Sequence, residues 1–319
     1  MKLALMAGWL GALAFGSVAA QEYPNKPVRI VVPFVPGGTV DLVARVLAQR
    51  LTEQMGQPFI VENKAGANGT IGSDTVAKSK ADGYMLLVQS PTLIATPLMA
   101  KRVPYDTVQD FTPISRLGSV PMVMTAHPSV PAANLREFIA AAQAKPGEYA
   151  FGIPAAGSPM HLAGAAIKHN SKLDIAIIPY KGTAAALNDL LGGQISVMID
   201  AIPSSAAHIA SGKLKALAVT TPARLPSMPK VPTVAESGMA GFEMVSWYGL
   251  WAPAQLPPEI LKRLSAETAK AMRSPLVKER LGSLGFLPDP DSPQDFTSFI
   301  LKETATYARI VRDASIQIE

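Results

Sequence analysis

The sequence predicts an α/β protein of two lobes with a cleft between them. Three observations carry this expectation. Apolar, β-branched runs alternate with helical patterns along the chain, which is how strands joined by helical crossovers read. At 319 residues the chain has the length of two domains rather than one. Loops rich in glycine and hydroxyl groups follow the strands in both halves, and in open α/β sheets ligands sit beyond the carboxyl ends of the strands. A clamp that closes from two sides brings both sets of loops to one place.

The first unit, Arg29 to Ala44, states the pattern most plainly. Ile30-Val31-Val32 ends at Pro33, Pro36-Gly37-Gly38 turns, and Thr39 opens a helix with Leu42, Val43, Val46, Leu47 and Leu51 at helical spacing. Such a turn aims backbone N–H groups at the positive end of a helix, where an anion is favoured. Gly37 and Gly38 allow unusual dihedrals and a close approach, and a side chain on Gly38 is expected to intrude on a bound carboxylate. An ordinary βα turn fits this stretch taken alone. The recurrence of the construction argues for more.

A second strand, Phe59-Ile60-Val61, leads into a loop with Gly66, Asn68 and Gly69, then a helix over 70–80. A third strand, Tyr84 to Val88, stops at Ser90-Pro91, with Ser90 read as a cap and Pro91 as the first helical position. An extended segment from Leu117 to Thr125 marks the first crossing between domains. Beyond it, Tyr149–Ile153 precedes Gly157-Ser158-Pro159, where Ser158 caps the next helix and Pro159 opens it. Ile175–Pro179 leads to Tyr180-Lys181-Gly182-Thr183, Ile195–Ile199 ends at Asp200, and Lys215–Thr220 forms another strand. Met244–Ala252 makes the return crossing, and the remainder is helical over 258–272, 276–284 and 293–314. The division expected is 21–123 with 246–319 as one domain and 124–245 as the other, with mainly parallel sheets.

The first twenty residues read as an export signal. Lys2 begins it, Leu3 to Phe15 is apolar, and Val18-Ala19-Ala20 offers a cleavage site near Ala20. Cysteine is absent, which excludes disulfides, thiolate metal sites and a lipid-bearing N-terminal cysteine, so the mature chain is expected free in the periplasm. Loss of the signal removes one lysine from 29 Lys and Arg against 24 acids, leaving a net charge of +4. That balance, without basic runs or interleaved aromatics, points to no nucleic acid.

Catalytic constellations are missing. Ala155-Ala156-Gly157-Ser158-Pro159 departs from the G-x-S-x-G elbow, no lysine-serine pair follows Gly37-Gly38, and the four histidines have no metal-binding spacing. No enzyme activity, metal or cofactor is therefore expected. Several side chains keep two readings. Asp41 and Asp200 fit an acid–base pair, or a helix-terminal partner and a strand-end acceptor respectively. His161 fits a buried, satisfied imidazole or a cleft wall, and Lys181 a solvated loop or a carboxylate partner. Trp247, Tyr248 and Trp251 fit core and hinge packing or a ligand platform.

Seven stretches together carry a family signature. They are VPFVPGGTVDLVAR at 32–45, VENKAGANGTIGSDTVAKSKADGY at 61–84, DFTPI at 110–114 and GSPMHLAG at 157–164. IPYKGTAAALNDLLGGQISVMID at 178–200, SGKLKALAVT at 211–220 and VPTVAESG at 231–238 complete the set. The chain resembles the Bug-type solute-binding receptors of tripartite tricarboxylate transporters. The resemblance implies a class II periplasmic-binding, Venus-flytrap fold and capture of a di-, tri- or aromatic carboxylic acid. It also implies delivery to membrane permease subunits, with presentation to a sensor kinase as the alternative, by a chain acting as a monomer. Carried over by motif, the implied contacts are Pro36, Gly37, Gly38, Thr39, Asp41, Ser90, Gly157, Ser158, His161, Lys181, Gly182, Thr183 and Asp200. Two positions depart from the family pattern: Ala165 replaces a frequent glutamate, and Ala184-Ala185 replaces a frequent proline.

Overall fold

The computed structural model describes residues 23–180, 182–282 and 284–317, so the export signal expected over 1–20 lies outside the described residues. Two sheets form two lobes. At the centre of the first, Val28–Val32 (β1) runs parallel to Phe59–Asn63 (β2) on one side and Met85–Gln89 (β3) on the other. The helix Thr39–Met55 (α1) links β1 to β2. It buries Val40, Val43, Ala44, Leu47 and Leu51, an i, i+3, i+4 stripe, and stops where Gly56 turns left-handed at φ 69°. Thr70–Ala77 (α2) follows β2, and Thr92–Met99 (α3) follows β3.

Phe111–Val120 (β4) leaves this sheet, and Met122–Ala126 (β5) enters the second with Pro121 alone between them. The second lobe then adds Leu135–Ala144 (α4), Ala150–Ile153 (β6), Pro159–Asn170 (α5), Ala176–Pro179 (β7) and Thr183–Leu191 (α6). Val197–Ala201 (β8), Ile202–Ala210 (α7) and Lys215–Val219 (β9) complete it, in the sheet order β7-β6-β8-β5-β9. Ser246–Pro253 (β10) returns to the first sheet between β4 and β3. Pro258–Met272 (α8), Pro275–Gly282 (α9), the short edge strand Leu287–Pro288 (β11) and Pro293–Asp313 (α10) follow. Among the described residues, no helix is long and apolar enough to cross a membrane.

The sheets are mixed rather than mainly parallel. β1–β2, β1–β3, β6–β7 and β6–β8 run parallel, whereas β10 is antiparallel to both its neighbours and β5 to β8 and β9. Parallel neighbours need a long crossover within one lobe, whereas β5 and β10 enter their sheets from the other lobe, and both run antiparallel to their neighbours. Hydrophobic periodicity carries no sign of strand direction, so this feature was not written in the apolar pattern.

The pairing registers fix where the loops point. Gln89, at the end of β3, lies beside Gly249 near the start of β10, and β10 begins with Ser246 beside Val120 at the end of β4. β5 begins with Met122 beside Ala201, at the end of β8. The carboxyl ends of β1, β2 and β3, and those of β6, β7 and β8, therefore all lie toward the edge where the lobes join. One apolar cluster continues through both lobes, holding Leu93, Ile94 and Met99 of α3, Leu162 of α5, and Phe296, Tyr307 and Val311 of α10. Trp247 and Trp251 are fully buried in it, and the Trp247 indole N–H donates to Glu303 at 3.1 Å. Their place is the core, not a ligand platform.

Candidate functional site

In the first lobe the loop after β1 is clamped from below. The Asp41 side chain is 2% exposed and accepts from the Gly37 N–H at 3.0 Å, Arg45 Nε at 2.9 Å and Asn63 Nδ2 at 2.8 Å. Asn63, at the end of β2, also donates to Phe34 O at 3.1 Å. Burial pushes the Asp41 carboxyl up, but the hydrogen bonds from Arg45, Gly37 and Asn63 outweigh it and hold the group below the usual carboxylate range. Asp41 thus pins the loop. It does not pair with Asp200, which belongs to the other sheet.

Above that clamp, Pro36, Gly37 and Gly38 are exposed and Thr39 is half-buried. Gly38 is the N-cap of α1 and brings no side-chain cap. The N–H groups of the first turn consequently have no partner in the helix, which is the arrangement that receives an anion. Positive φ belongs to Gly37, at 88°, while Gly38 has φ −76° and ψ 167°, an ordinary extended conformation. The space at Gly38 is also open: a Cβ there would meet only Val35 O, at 4.0 Å.

Ser90 lies at the end of β3, next to β1, but it does not cap α3. The helix starts at Thr92 after Pro91, without a side-chain cap. Gln89, 1% exposed, accepts at Oε1 from the Ser90 N–H at 2.8 Å and from Thr92 Oγ1 at 3.1 Å, and the Ser90 and Thr92 hydroxyls meet at 2.9 Å. The loop after β2 closes on the same place, because a Cβ on Gly69 would stand 2.7 Å from Gln89 Nε2 and 3.3 Å from Phe34 Cζ. Asn63, Gln89 and Thr92 were missed in the sequence reading. Polar residues closing two apolar strands were the available signal for Asn63 and Gln89.

In the second lobe Ser158 caps α5 as the sequence predicts, accepting from the His161 N–H at 3.2 Å with Pro159 in the first turn. Its own hydroxyl donates to Ala155 O at 2.7 Å, so no imidazole holds that proton. His161 Nδ1 accepts from the Gly157 N–H at 3.0 Å, which leaves the ring proton on Nε2, and burial lowers the imidazole pKa. The ring also lines a cavity of about 610 Å³ beside Ala165, Lys168 and Ile316.

The loop after β7 is tied to this one by the Gly182 N–H, which donates to Pro154 O at 2.8 Å. Gly182 is the N-cap of α6, again without a side-chain cap. Thr183 Oγ1 donates to Asp200 Oδ1 at 3.3 Å. Asp200 is 1% exposed, and desolvation pushes its carboxyl up to about 6, against the Ala201 N–H and the hydroxyls of Ser204 and Thr183. Lys181 lies outside the described residues. The structure thus gathers Pro36 to Asp41 with Ser90 in one lobe, and Gly157, Ser158, His161, Gly182, Thr183 and Asp200 in the other. No hydrogen bond among the described residues joins the two sets.

Comparison with known proteins gives one pattern. The model of the tripartite tricarboxylate transporter family receptor matches residues 43–316. Protein BugT of Bordetella pertussis is 38% identical over 305 residues, covering 95% of this chain and 93% of that protein. Among solved structures, R. palustris Rpa4515 with adipate aligns at a TM-score of 0.81 and 35% identity, over 93% of this chain and 99% of that one. MatC from Rhodopseudomonas palustris with bound malate aligns at 0.77 and 30% identity, over 91% and 100%. The periplasmic binding protein BugD aligns at 0.78 and 34% identity, over 93% and 100%.

Proposed function

The chain belongs to the tripartite tricarboxylate transporter receptor family, and from that premise we propose that it captures a small organic carboxylate in the periplasm for uptake by a membrane permease. The family is one of receptors, not enzymes. The observation that carries the proposal is the uncapped N-terminus of α1 at the carboxyl end of β1, held open by Asp41 beneath it. Its free N–H groups meet a carboxylate's need for charge-assisted hydrogen bonds in a site that closure dries, where such bonds are stronger than in water. In this reading the loop 157–161 and the α6 N-terminus complete the site from the second lobe.

The lobes in this reading divide as 21–123 with 246–319 against 124–245, hinged where β4 passes to β5 and where β10 returns. Closure over the ligand gives the shape that the permease reads. The receptor works as a monomer after cleavage near Ala20. Support for the ligand class comes from the adipate and malate seen in two relatives.

Thermal-shift screening against mono-, di- and tricarboxylates, aromatic ones included, is expected to find a compound that raises the melting temperature. Stabilisation by neutral sugars or amines and by no carboxylate would overturn the proposal. Deleting the protein should then abolish uptake of that carboxylate. If uptake survives and ligand-dependent transcription is lost instead, the partner is a sensor kinase.

A further inference from the structure

We propose that the crevice between α5 and the end of α10 is a second ligand site, separate from the cleft, for a monoanion with an apolar body such as a medium-chain carboxylate.

The crevice is built from both lobes. One face of α5, the strand β7 and the chain just past α10 enclose about 610 Å³, the size of a small-molecule pocket. Ala165, Leu173 and Ile316 are buried in its walls and Ile177 is half-buried, so its interior is apolar. Polar groups stand at its ends. His161 lines the end near the start of α5; its Nδ1 is taken by the Gly157 N–H, and its Nε2 proton has no acceptor among the described residues. Lys168 and Lys172 line the other end. Seven helical residues separate His161 from Lys168, roughly 10 Å along the axis.

The charge is one-sided. Asp313 is the one acid among the described lining residues, and Arg312 holds it at 2.9 Å. The ammonium groups of Lys168 and Lys172 have no hydrogen bond or ion pair among the described residues. Exposed lysines ordinarily meet only water. Lys172 is set apart by its backbone. At the end of α5 the Leu173 N–H donates to Lys168 O at 3.0 Å and the Lys172 N–H to His169 O at 3.1 Å. Lys172 thereby takes φ 52°, the left-handed place where glycine is favoured and where α1 has Gly56. Ser315, just past α10 and also lining the crevice, takes φ 51°. Both helix ends that border the crevice thus carry a side chain where glycine is less strained, and such strain gathers at binding sites. An anion between the two lysines gains charge-assisted hydrogen bonds, while its apolar body covers Leu173, Ile177 and Ile316. A second charge on the ligand would lie against those apolar walls, which is why a single one fits.

Calorimetric titration of the purified protein with octanoate and with its neutral amide, octanamide, tests this. Octanoate is expected to bind, and octanamide at least about tenfold more weakly. Replacing both lysines, Lys168→Glu with Lys172→Glu, is expected to weaken octanoate at least about tenfold. Gly38→Val, altered in the cleft, is expected to bind octanoate as the natural protein does. Lys172→Gly separates charge from fold. Glycine relieves the left-handed backbone, so this variant should melt no lower than the natural protein while binding octanoate about threefold or more weakly. Absence of octanoate binding up to about 1 mM, or equal affinity for octanamide, would overturn the proposal whether or not any variant folds. So would octanoate binding unchanged in the folded double variant or in Lys172→Gly. Loss of octanoate in Gly38→Val would assign it to the cleft and overturn the proposal as well.

Discussion

Single residues decide how the first loop is held. Asp41 is a buried acid with three donors on it, and the cation among them, Arg45, sits four residues on, where a helix brings side chains together. Asp41→Ala is expected to cost about 2–3 kcal/mol at pH 7, since charge-assisted bonds are lost and Asn63 keeps only Phe34 O as an acceptor for its amide. Because the folded carboxyl is held below its ordinary value, its contribution is fully present above the unfolded pKa and fades as pH falls through the lowered one. Urea melts from pH 7 down to pH 3 should therefore show the gap between the proteins narrowing at the acid end. A constant gap would mean that Asp41 acts by packing rather than charge. The sequence placed Asp41 at a helix start but did not reveal Asn63, since a partner 22 residues away is a fact of strand order. Nor could two adjacent glycines say which of them bears positive φ; Gly37 does.

Elements were the most legible scale. Prolines and helical spacing located α8 and α10 to within a residue at each end, and the glycine turn and the serine cap located the starts of α1 and α5. Local chemistry also misled in one place. Ser90-Pro91 has the form of a cap and a first turn, yet Gln89 takes the Ser90 N–H and the Thr92 hydroxyl, and the helix begins later. Strand direction was illegible because period-2 patterning is the same either way. The two helix caps make a matched test. Asn134 accepts from the Glu137 N–H at 3.0 Å at the start of α4, as Ser158 does from His161 in α5. Asn134→Ala and Ser158→Ala should each lower stability by about 1 kcal/mol in chemical denaturation. Ligand affinity should fall in Ser158→Ala and hold in Asn134→Ala, because only the former belongs to the site proposed for the carboxylate. A loss of affinity in both would assign the effect to general stability.

At the scale of the whole molecule, the chain crosses twice between two sheets and leaves six strand ends at their common edge. The two-lobe plan was legible because loops of one chemical kind recurred in both halves. The detailed site was less so, because hydrogen bonds such as Gly182 to Pro154 and Thr183 to Asp200 depend on which strands become neighbours. The central claim is that a carboxylate sits on the open N-terminus of α1 at this edge. Gly38 allows a direct test, since its dihedrals suit any residue and its surroundings leave room for a side chain. Calorimetry of Gly38→Val with the carboxylate found by thermal-shift screening, beside its circular dichroism melt, decides the matter. The account predicts affinity lower by about tenfold or more, while stability changes by no more than about 1 kcal/mol, the scale of an altered cap. A folded Gly38→Val protein that binds as tightly as the natural one would contradict it.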